Sequence, residues 1–319
     1  MELRGEVLLK RNHSLLAVAV TTVIGISLLA GCGAPQAASN SGSTGSGSTN
    51  NTLVIGGKNF TENDIMADML DLLIQHDDPK LHIIMDTWLD SNVVWNAMAN
   101  NKIDLYVEYT GTGLVNILHD APMTNPNAVY HKVKKAFQQK YHITWLKPIG
   151  FNDTYAMAMR ASEAKRLGIT NISQMAAQSG NLVLGCEVDF QTRSDTLPAM
   201  NKLYHTHFKS VDVMAIGLKY QALINKKVDV IDAFSTDGQI PAYKLVILKD
   251  NKHLFPPYYA APIIRDSVLR AHPELRGIIN KLAGKINDSE MQKLNMEVDL
   301  GHKKAMDVAR TWLTQHGLI

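Results

Sequence analysis

Two segments of the chain align with each other without a gap: Trp95-Asn-Ala-Met-Ala-Asn-Asn-Lys-Ile-Asp-Leu-Tyr-Val-Glu-Tyr-Thr110 and Tyr220-Gln-Ala-Leu-Ile-Asn-Lys-Lys-Val-Asp-Val-Ile-Asp-Ala-Phe-Ser235. Four aligned positions are identical, and seven more exchange similar residues. Each copy has the pattern of a helix end, an Asn-Lys turn and a short apolar strand. The repeat therefore predicts two similar structural units within the 319 residues.

Each predicted strand delivers an aromatic residue into a polar loop, Tyr109 in the first copy and Phe234 in the second. In open α/β sheets, ligands bind at the carboxyl ends of the strands. Two equivalent strand ends therefore predict two similar lobes, each of which presents an aromatic ring to a cleft between them. This arrangement favours a binding protein.

The rest of the chain alternates short apolar strands with helical segments. Strands are expected at residues 53–57, 81–85, 103–108, 143–146, 155–159, 182–184, 228–231, 245–248 and 263–264. Such alternation predicts an α/β fold with a mixed, mostly parallel sheet in each lobe. We expect the strand at 262–265 to cross back to the first lobe. The first lobe then comprises residues 53–152 plus 255–319, and the second lobe residues 153–254.

The composition excludes several classes of protein. The chain is 45% hydrophobic and has a net charge of +2, and its Lys and Arg residues form no basic stripe that would indicate nucleic-acid binding. Its length is sufficient for two domains. The two cysteines, Cys32 and Cys186, cannot form a disulfide framework, and neither has zinc-site spacing.

The first 52 residues are expected to lie outside the fold. Residues 1–31 have the basic start and short apolar run of a signal peptide. The run ends in Leu28-Leu29-Ala30-Gly31-Cys32, which resembles the lipobox of bacterial lipoproteins and implies a lipid on Cys32. Residues 32–52 are rich in Ser, Gly, Thr and Asn, as in a flexible tether. The alternative is an ordinary secretory cleavage site and a soluble product.

The loops at the predicted strand ends bring together aromatic rings and cations. Eight residues are candidates for a binding site: Lys58, Tyr109, Thr112, Asp153, Tyr155, Arg193, Phe234 and Tyr258. Aromatic faces attract a quaternary ammonium, whereas Lys and Arg favour a carboxylate. Glycine betaine is the smallest molecule that carries both groups. Taken singly, however, each tyrosine is more often a core residue, and each cation a solvated surface charge.

Three motifs carry a resemblance to a known family: Ile55-Gly-Gly-Lys-Asn-Phe-Thr-Glu62, Asp104-Leu-Tyr-Val-Glu-Tyr-Thr-Gly-Thr112 and Phe255-Pro-Pro-Tyr258. They resemble the osmoprotectant-binding proteins of ABC transporters, which are receptors for glycine betaine, carnitine and choline. The resemblance runs in order from about residue 53 to the C-terminus. It implies a two-lobed periplasmic-binding-protein-like fold of type II, with the ligand in the cleft between the lobes.

The resemblance also implies roles for the candidate residues. The positions that match the family's aromatic box for a quaternary ammonium are Tyr109, Tyr155, Phe234 and Tyr258. The positions that match its contacts to a ligand carboxylate are Lys58, Thr112 and Arg193. Asp153 matches an acidic residue that lines the box and helps to neutralise the cation.

The sequence departs from the family pattern at two positions. Phe234 stands where a Tyr is more common, so the ring face is kept but a hydroxyl is lost. Thr196 stands where a Gly is common, which makes the loop after Arg193 uncertain in shape. Lys58, by contrast, is kept where choline-selective relatives can carry a neutral residue. This favours a zwitterion over choline.

The resemblance implies a monomeric receptor on the extracytoplasmic face of the bacterial membrane, held there by its lipid anchor. It would deliver a betaine-like osmolyte to the membrane subunits of an ABC permease that has a separate ATPase. No cofactor and no metal are expected. Choline, carnitine and another compatible solute stay open as ligands, and a tethered solute sensor is the alternative role.

An enzyme is the less favoured interpretation. The sequence has no Gly-x-Ser-x-Gly elbow, no His-Glu-x-x-His motif and no phosphate-binding Gly-Lys-Ser/Thr loop. The pair His205 and His207 has no third metal ligand nearby in the sequence, so we interpret both as surface residues. Cys186 has no activating histidine beside it and is expected to be a buried structural thiol.

Overall fold

A computed structural model describes residues 51–319. The predicted signal peptide, the lipidation of Cys32 and nearly all of the tether lie outside the described residues. Within residues 51–319, no helix is both long enough and apolar enough to cross a membrane.

The described part of the chain contains ten strands and thirteen α-helices. The strands are β1 Thr52–Lys58, β2 His82–Leu89, β3 Leu105–Tyr109, β4 Ile143–Trp145, β5 Tyr155–Arg160, β6 Val183–Cys186, β7 Ser210–Val213, β8 Val230–Phe234, β9 Leu245–Leu248 and β10 Ala260–Arg265. The helices are α1 Thr61–Asp77, α2 Ser91–Ala99, α3 Pro126–Tyr141, α4 Ala161–Leu167, α5 Ile172–Gln178, α6 Val188–Thr192, α7 Leu197–Tyr204, α8 Ile216–Ile224, α9 Gln239–Ala242, α10 Asp266–Ala271, α11 Leu275–Ile279, α12 Asp288–Asp299 and α13 Ala305–Gln315. Three short turns of other helix types complete the set: Thr112–Ile117 (π), Ser179–Asn181 and Asn280–Leu282 (both 3₁₀).

The strands form two five-stranded sheets with equivalent strand orders. The first sheet has the order β2-β1-β3-β10-β4, and the second has β7-β6-β8-β5-β9. In the first sheet β10 runs antiparallel to both neighbours, and β5 does the same in the second. The α/β fold predicted from the sequence is therefore confirmed. We call the part built on the first sheet the first lobe, and the part built on the second sheet the second lobe.

The sequence repeat corresponds to a structural repeat that keeps the same offset at every boundary. Helix α2 and strand β3 begin and end 125 residues before helix α8 and strand β8. The turns between them place Asn101 and Lys226 in the same left-handed conformation, with φ of 58° in each. In each unit an aspartate accepts a backbone N–H from a neighbouring strand of its own sheet: Asp104 from β1 and Asp229 from β6. The two copies thus fold by the same local interactions.

In each sheet the antiparallel strand, β10 or β5, pairs with the strand that ends in a candidate aromatic residue. Strand β10 returns to the first sheet between β3 and β4, as expected for the segment 262–265. Its residue Ala260 lies opposite Tyr109 of β3. In the second sheet, Tyr155 at the start of β5 lies opposite Phe234 at the end of β8. The register therefore places the aromatic strand ends of both lobes next to the segments in which the chain passes from one lobe to the other.

Strand β7 is not among the strands predicted from the sequence. Strand β7 is at the edge of the second sheet, and its side chains are mostly exposed. Its segment therefore has no buried apolar face to reveal it. The first lobe, in contrast, is built around α1, whose buried face packs against β1, α11, α12 and α13.

Gly150 lies just before the first crossing between the lobes and has a φ of 134°. A Cβ atom there would lie 2.5 Å from the carbonyl oxygen of Ile286. We predict that Gly150→Ala lowers the free energy of unfolding by more than about 1 kcal/mol, because both the conformation and the space exclude a side chain. Gly277→Ala is the matched control, since a Cβ there meets nothing within 4 Å. Equal urea midpoints for the two variants would contradict the prediction.

Candidate functional site

A cavity of about 20 Å³ lies between the lobes, at the carboxyl ends of strands from both sheets. All eight candidate residues line it: Lys58, Tyr109, Thr112, Asp153, Tyr155, Arg193, Phe234 and Tyr258. Six further residues line it that the sequence analysis did not select: Asn59, Phe60, Ser91, Glu187, Asp189 and Ile216.

Five aromatic rings surround the cavity, one more than predicted. The rings of Tyr155 and Phe234 are 4.9 Å apart, and Tyr258 stands edge-on to Tyr155 at 5.6 Å. Phe60 stacks on Phe234 at 5.6 Å and lies 5.9 Å from Tyr109. Phe60 follows β1 directly, so the strand-end rule that selected Lys58 also applied to it. The rings of the two lobes thus form one continuous aromatic box.

Tyr258 has its place because residue 111 lacks a side chain. A Cβ atom at Gly111 would lie 2.6 Å from the Tyr258 ring. The Tyr258 hydroxyl donates a hydrogen bond to the carboxylate of Asp195 at 2.8 Å. Both ends of the tyrosine are therefore fixed, the ring by close packing and the hydroxyl by a carboxylate.

Lys58 is buried and forms an ion pair with Glu108, with 2.5 Å between Nζ and Oε1. Its ammonium also lies 5.0 Å from the centre of the Tyr109 ring. The other carboxylate oxygen of Glu108 accepts a hydrogen bond from Tyr106. A buried charge needs such a partner, so the candidate cation at the end of β1 is already compensated within its own lobe.

The second lobe contains an equivalent arrangement that the sequence analysis missed. Lys219 is fully buried, with its Nζ 2.8 Å from the carboxylate of Asp232 and 5.1 Å from the centre of the Phe234 ring. Each strand-end aromatic of the repeat therefore has a buried, paired lysine beside it. The sequence repeat does not reveal Lys219, because Val94 occupies the aligned position in the first copy.

Arg193 is held from two sides. Its Nε and Nη2 atoms donate to the two oxygens of Asp195 at 2.9 and 2.6 Å. Nη2 also lies 3.3 Å from the Thr112 hydroxyl, which joins the second lobe to the first. Among residues 51–319, Nη1 has no hydrogen-bond partner. Arg193 therefore keeps two N–H groups available for a ligand.

Thr196, the residue that left the shape of the loop after Arg193 open in the sequence analysis, holds that loop in place through its hydroxyl. The hydroxyl of Thr196 lies 2.6 Å from the carbonyl oxygen of Phe190 and 2.9 Å from that of Arg193. The residue is fully buried. The threonine side chain thus ties the loop to the end of α6.

Three carboxyl groups that form no ion pair within residues 51–319 line the cavity: Asp153, Glu187 and Asp189. Burial, together with the carboxylates of Glu62 and Asp237, raises the pKa of Asp153 well above its usual range. Burial and the charge of Asp232 raise the pKa of Glu187 to about 7. These raised pKa values mean that the surrounding protein supplies too little positive charge to stabilise the ionised carboxylates. A positively charged group bound in the cavity would therefore be stabilised by them.

The other residues considered for chemistry lie apart from this cavity. Cys186 is buried, and burial raises the pKa of its thiol to about 12, so little thiolate is present at neutral pH. His205 and His207 are exposed. Within the described part of the chain, no group of three His, Cys, Asp or Glu side chains is arranged to hold a metal ion.

Residues 51–315 match the family described as the substrate-binding domain of ABC-type glycine betaine transport systems. The chain belongs to this family. A carnitine transport binding protein of Listeria monocytogenes is 39% identical over 85% of this chain and 88% of its own length. An ergothioneine transport permease/ergothioneine binding protein of Helicobacter pylori is 34% identical over 83% of this chain and 48% of its own length.

Solved structures agree with this assignment. A crystal structure described as a glycine betaine/carnitine/choline ABC transporter is 37% identical, with a TM-score of 0.69, over 83% of this chain and 99% of the other. The predicted periplasmic-binding-protein-like fold and the predicted receptor role are confirmed. The receptor is thus an extracytoplasmic substrate-binding component of an ABC importer, and its family is one of transport proteins rather than enzymes.

Proposed function

We propose that the receptor captures a betaine, a zwitterion with a quaternary ammonium and a carboxylate, in the aromatic box. The main support is the set of five rings around a cavity that also contains uncompensated carboxyl groups. Each ring contributes roughly 0.5–2 kcal/mol to holding a cation, depending on desolvation. A quaternary ammonium cannot donate hydrogen bonds, so ring faces suit it better than buried carboxylates alone.

The carboxylate of the ligand would lie near Arg193, Thr112 and Lys58. Arg193 offers the two N–H groups of Nη1, and Lys58 uses one of its three ammonium protons for Glu108. Because Arg193 and Thr112 belong to different lobes, a carboxylate between them would connect both lobes. Glycine betaine is the smallest ligand with this chemistry. Choline is the second candidate, and the three unpaired carboxyl groups of the cavity favour it.

The remaining features of the importer are also proposals. The lobes 53–152 plus 255–319 and 153–254 close on the ligand by a hinge movement. A lipid on Cys32 and the tether to residue 52 hold a monomeric receptor at the membrane, where it meets the permease and its separate ATPase. A tethered sensor would have the same pocket, and uptake that depends on the permease would distinguish the two.

We predict that residues 52–319 bind glycine betaine in calorimetric titration and that Tyr258→Ala weakens binding by about tenfold or more, because one wall of the box is lost. Tyr258→Phe is the control, since it keeps the ring and loses only the hydroxyl bonded to Asp195. Equal affinity of Tyr258→Ala and the unaltered receptor would remove this ring from the site.

We predict that Arg193→Gln weakens glycine betaine binding by about tenfold or more, because a charged hydrogen bond to the carboxylate is lost, and changes choline binding by less than about threefold. The measurement is parallel titration with both ligands. Arg166→Gln removes an exposed ion pair with Glu163 and should alter neither affinity. Equal losses for both ligands in Arg193→Gln would contradict a carboxylate contact.

The elevated pKa of Glu187 predicts a pH dependence. The charged groups that face this residue are Asp232, Lys219, Asp189 and Arg193. A bound quaternary ammonium favours the ionised carboxylate, so affinity should rise as pH increases through about 7, by up to about tenfold between pH 6 and pH 8 for one released proton. Glu187→Gln should flatten this profile. A dissociation constant that is the same at both pH values in the unaltered receptor would contradict the prediction.

A further inference from the structure

An ion pair lies behind part of the aromatic box without lining the cavity. It joins Lys219 of α8 to Asp232 of β8, and both side chains are fully buried. We call the part of the cavity lining formed by Glu187, Ile216 and Phe234 the second-lobe wall. The Lys219 ammonium lies 5.1 Å from the centre of the Phe234 ring. The pair is therefore separated from a ligand in the box by the residues of this wall.

Stability alone does not account for an ion pair in this position. Taking two charges out of water is costly, and a buried ion pair is often no more stabilising than apolar side chains of similar size. The pair of Lys58 and Glu108 in the first lobe differs from it, because Lys58 itself lines the cavity. Any effect of Lys219 and Asp232 on the cavity must pass through neighbouring residues.

The Asp232 carboxylate divides its two oxygens between Lys219 and the turn that follows β6. Its Oδ2 accepts from the Lys219 ammonium at 2.8 Å, and its Oδ1 accepts from the backbone N–H of Glu187 at 3.2 Å. The Glu187 carboxyl group lines the cavity and accepts from the Tyr155 hydroxyl at 3.2 Å. The carboxylate end of the ion pair is therefore the end that is bonded to Glu187.

The ion pair also connects the three elements that form the second-lobe wall. Helix α8 begins with Ile216, β8 ends with Phe234, and Glu187 follows β6 directly. Lys219 and Asp232 bond these elements to one another behind the wall. A change in the pair therefore reaches both the position of Glu187 and the charges around it.

The charged and titratable groups that face Glu187 come from several elements of the second lobe. They are Asp232 of β8, Lys219 of α8, Asp189 of α6, Arg193 after α6, the Tyr155 hydroxyl of β5 and the Cys186 thiol of β6. Burial raises the pKa of Glu187 to about 7, the charge of Asp232 adds to the increase, and the charge of Lys219 opposes it. Asp232 thus offsets the ammonium that would otherwise favour an ionised Glu187.

We propose that Lys219 and Asp232 are positioning residues that hold the Glu187 carboxyl group at the second-lobe wall and set the pH range in which the box binds a quaternary ammonium. This inference rests on the proposed betaine function and extends it to two residues that do not line the cavity. With Asp232 ionised beside it, Glu187 keeps its proton up to neutral pH, and a bound cation releases that proton to solvent. Betaine capture is thereby weakened in acidic surroundings by a pair that lies outside the site.

Asp232→Asn tests this role, because it removes the charge but keeps the side-chain size and an oxygen that can accept the Glu187 N–H. Lys219 then has the carboxylates of Asp237 and Glu187 to compensate its charge, so Glu187 should ionise at a pH lower by at least about one unit. The measurement is calorimetric titration of residues 52–319 with glycine betaine at pH 6 and pH 8. The ratio of the two affinities, up to about tenfold in the unaltered receptor, should fall to about twofold or less. A merely structural role would weaken binding equally at both pH values, and an unchanged ratio would overturn the proposal.

The double variant Lys219→Met/Asp232→Asn separates charge from packing. It alters more of the structure behind the wall than Asp232→Asn does, but it removes both charges. Because Asp232 influences Glu187 more than Lys219 does, the pH midpoint of binding should lie between those of Asp232→Asn and the unaltered receptor. A midpoint at or below that of Asp232→Asn would overturn the role of the Lys219 charge. If Asp232→Asn does not fold, the double variant alone provides the test, and a midpoint equal to that of the unaltered receptor would overturn the proposal.

The ionisation of Glu187 can also be followed without ligand. Its carboxyl carbon resonance, assigned by its loss in Glu187→Gln, gives the midpoint directly by carbon-13 NMR. Asp212→Asn is the matched control, since Asp212 is an exposed carboxylate on the adjacent strand β7, opposite Gly185 of β6. It should shift the midpoint by less than about 0.3 pH unit, because water and salt screen an exposed charge. A shift as large as that in Asp232→Asn would contradict a role specific to the buried pair.

The outcomes distinguish this inference from the proposed function. If glycine betaine does not bind, the betaine function fails, and the pH range for its capture fails with it. If glycine betaine binds with the predicted loss in Tyr258→Ala, but Asp232→Asn leaves the affinity ratio and the Glu187 midpoint unchanged, the function stands and the role of the ion pair alone is overturned.

Discussion

The site depends on one constraint, which is that a cation buried between the two lobes must have a carboxylate partner. Lys58, Lys219 and Arg193 are all buried, and each has a carboxylate of its own lobe within hydrogen-bonding distance. Removing one partner of such a pair costs about 3–5 kcal/mol, so the pairs hold their residues firmly. Because the two lysines lie about 5 Å from the rings of Tyr109 and Phe234, the aromatic box is fixed by the same pairs.

Much of this site follows from the sequence because it is built twice. A gapless repeat preserves helix length, turn conformation and strand length together, so one alignment places both strand ends. Tyr109 and Phe234 could be predicted for that reason. Tyr155 and Tyr258 came from the loops where the chain was expected to cross between the lobes, and the family resemblance assigned them to the aromatic box. The return of the strand at 262–265 to the first sheet was also predicted, whereas the order of the strands in each sheet was not.

The remainder of the site depends on contacts that no local pattern encodes. Lys219 and Asp232 resemble ordinary surface charges in the sequence, and only the packing of α8 on β8 makes them a buried pair. Glu187 and Asp189 begin a helix too short to have a periodic signal.

The placement of the ion pairs has a consequence for how the receptor releases its cargo. Within residues 51–319, every ion pair joins two residues of the same lobe. The bonds between lobes, such as Arg193 with Thr112 and Gln239 with Asp299, each include an uncharged partner. Parting the lobes without ligand therefore breaks no ion pair within the described residues, and the opening rate of the empty receptor should depend little on ionic strength. A receptor exposed to changing external salt would keep the same rate of opening.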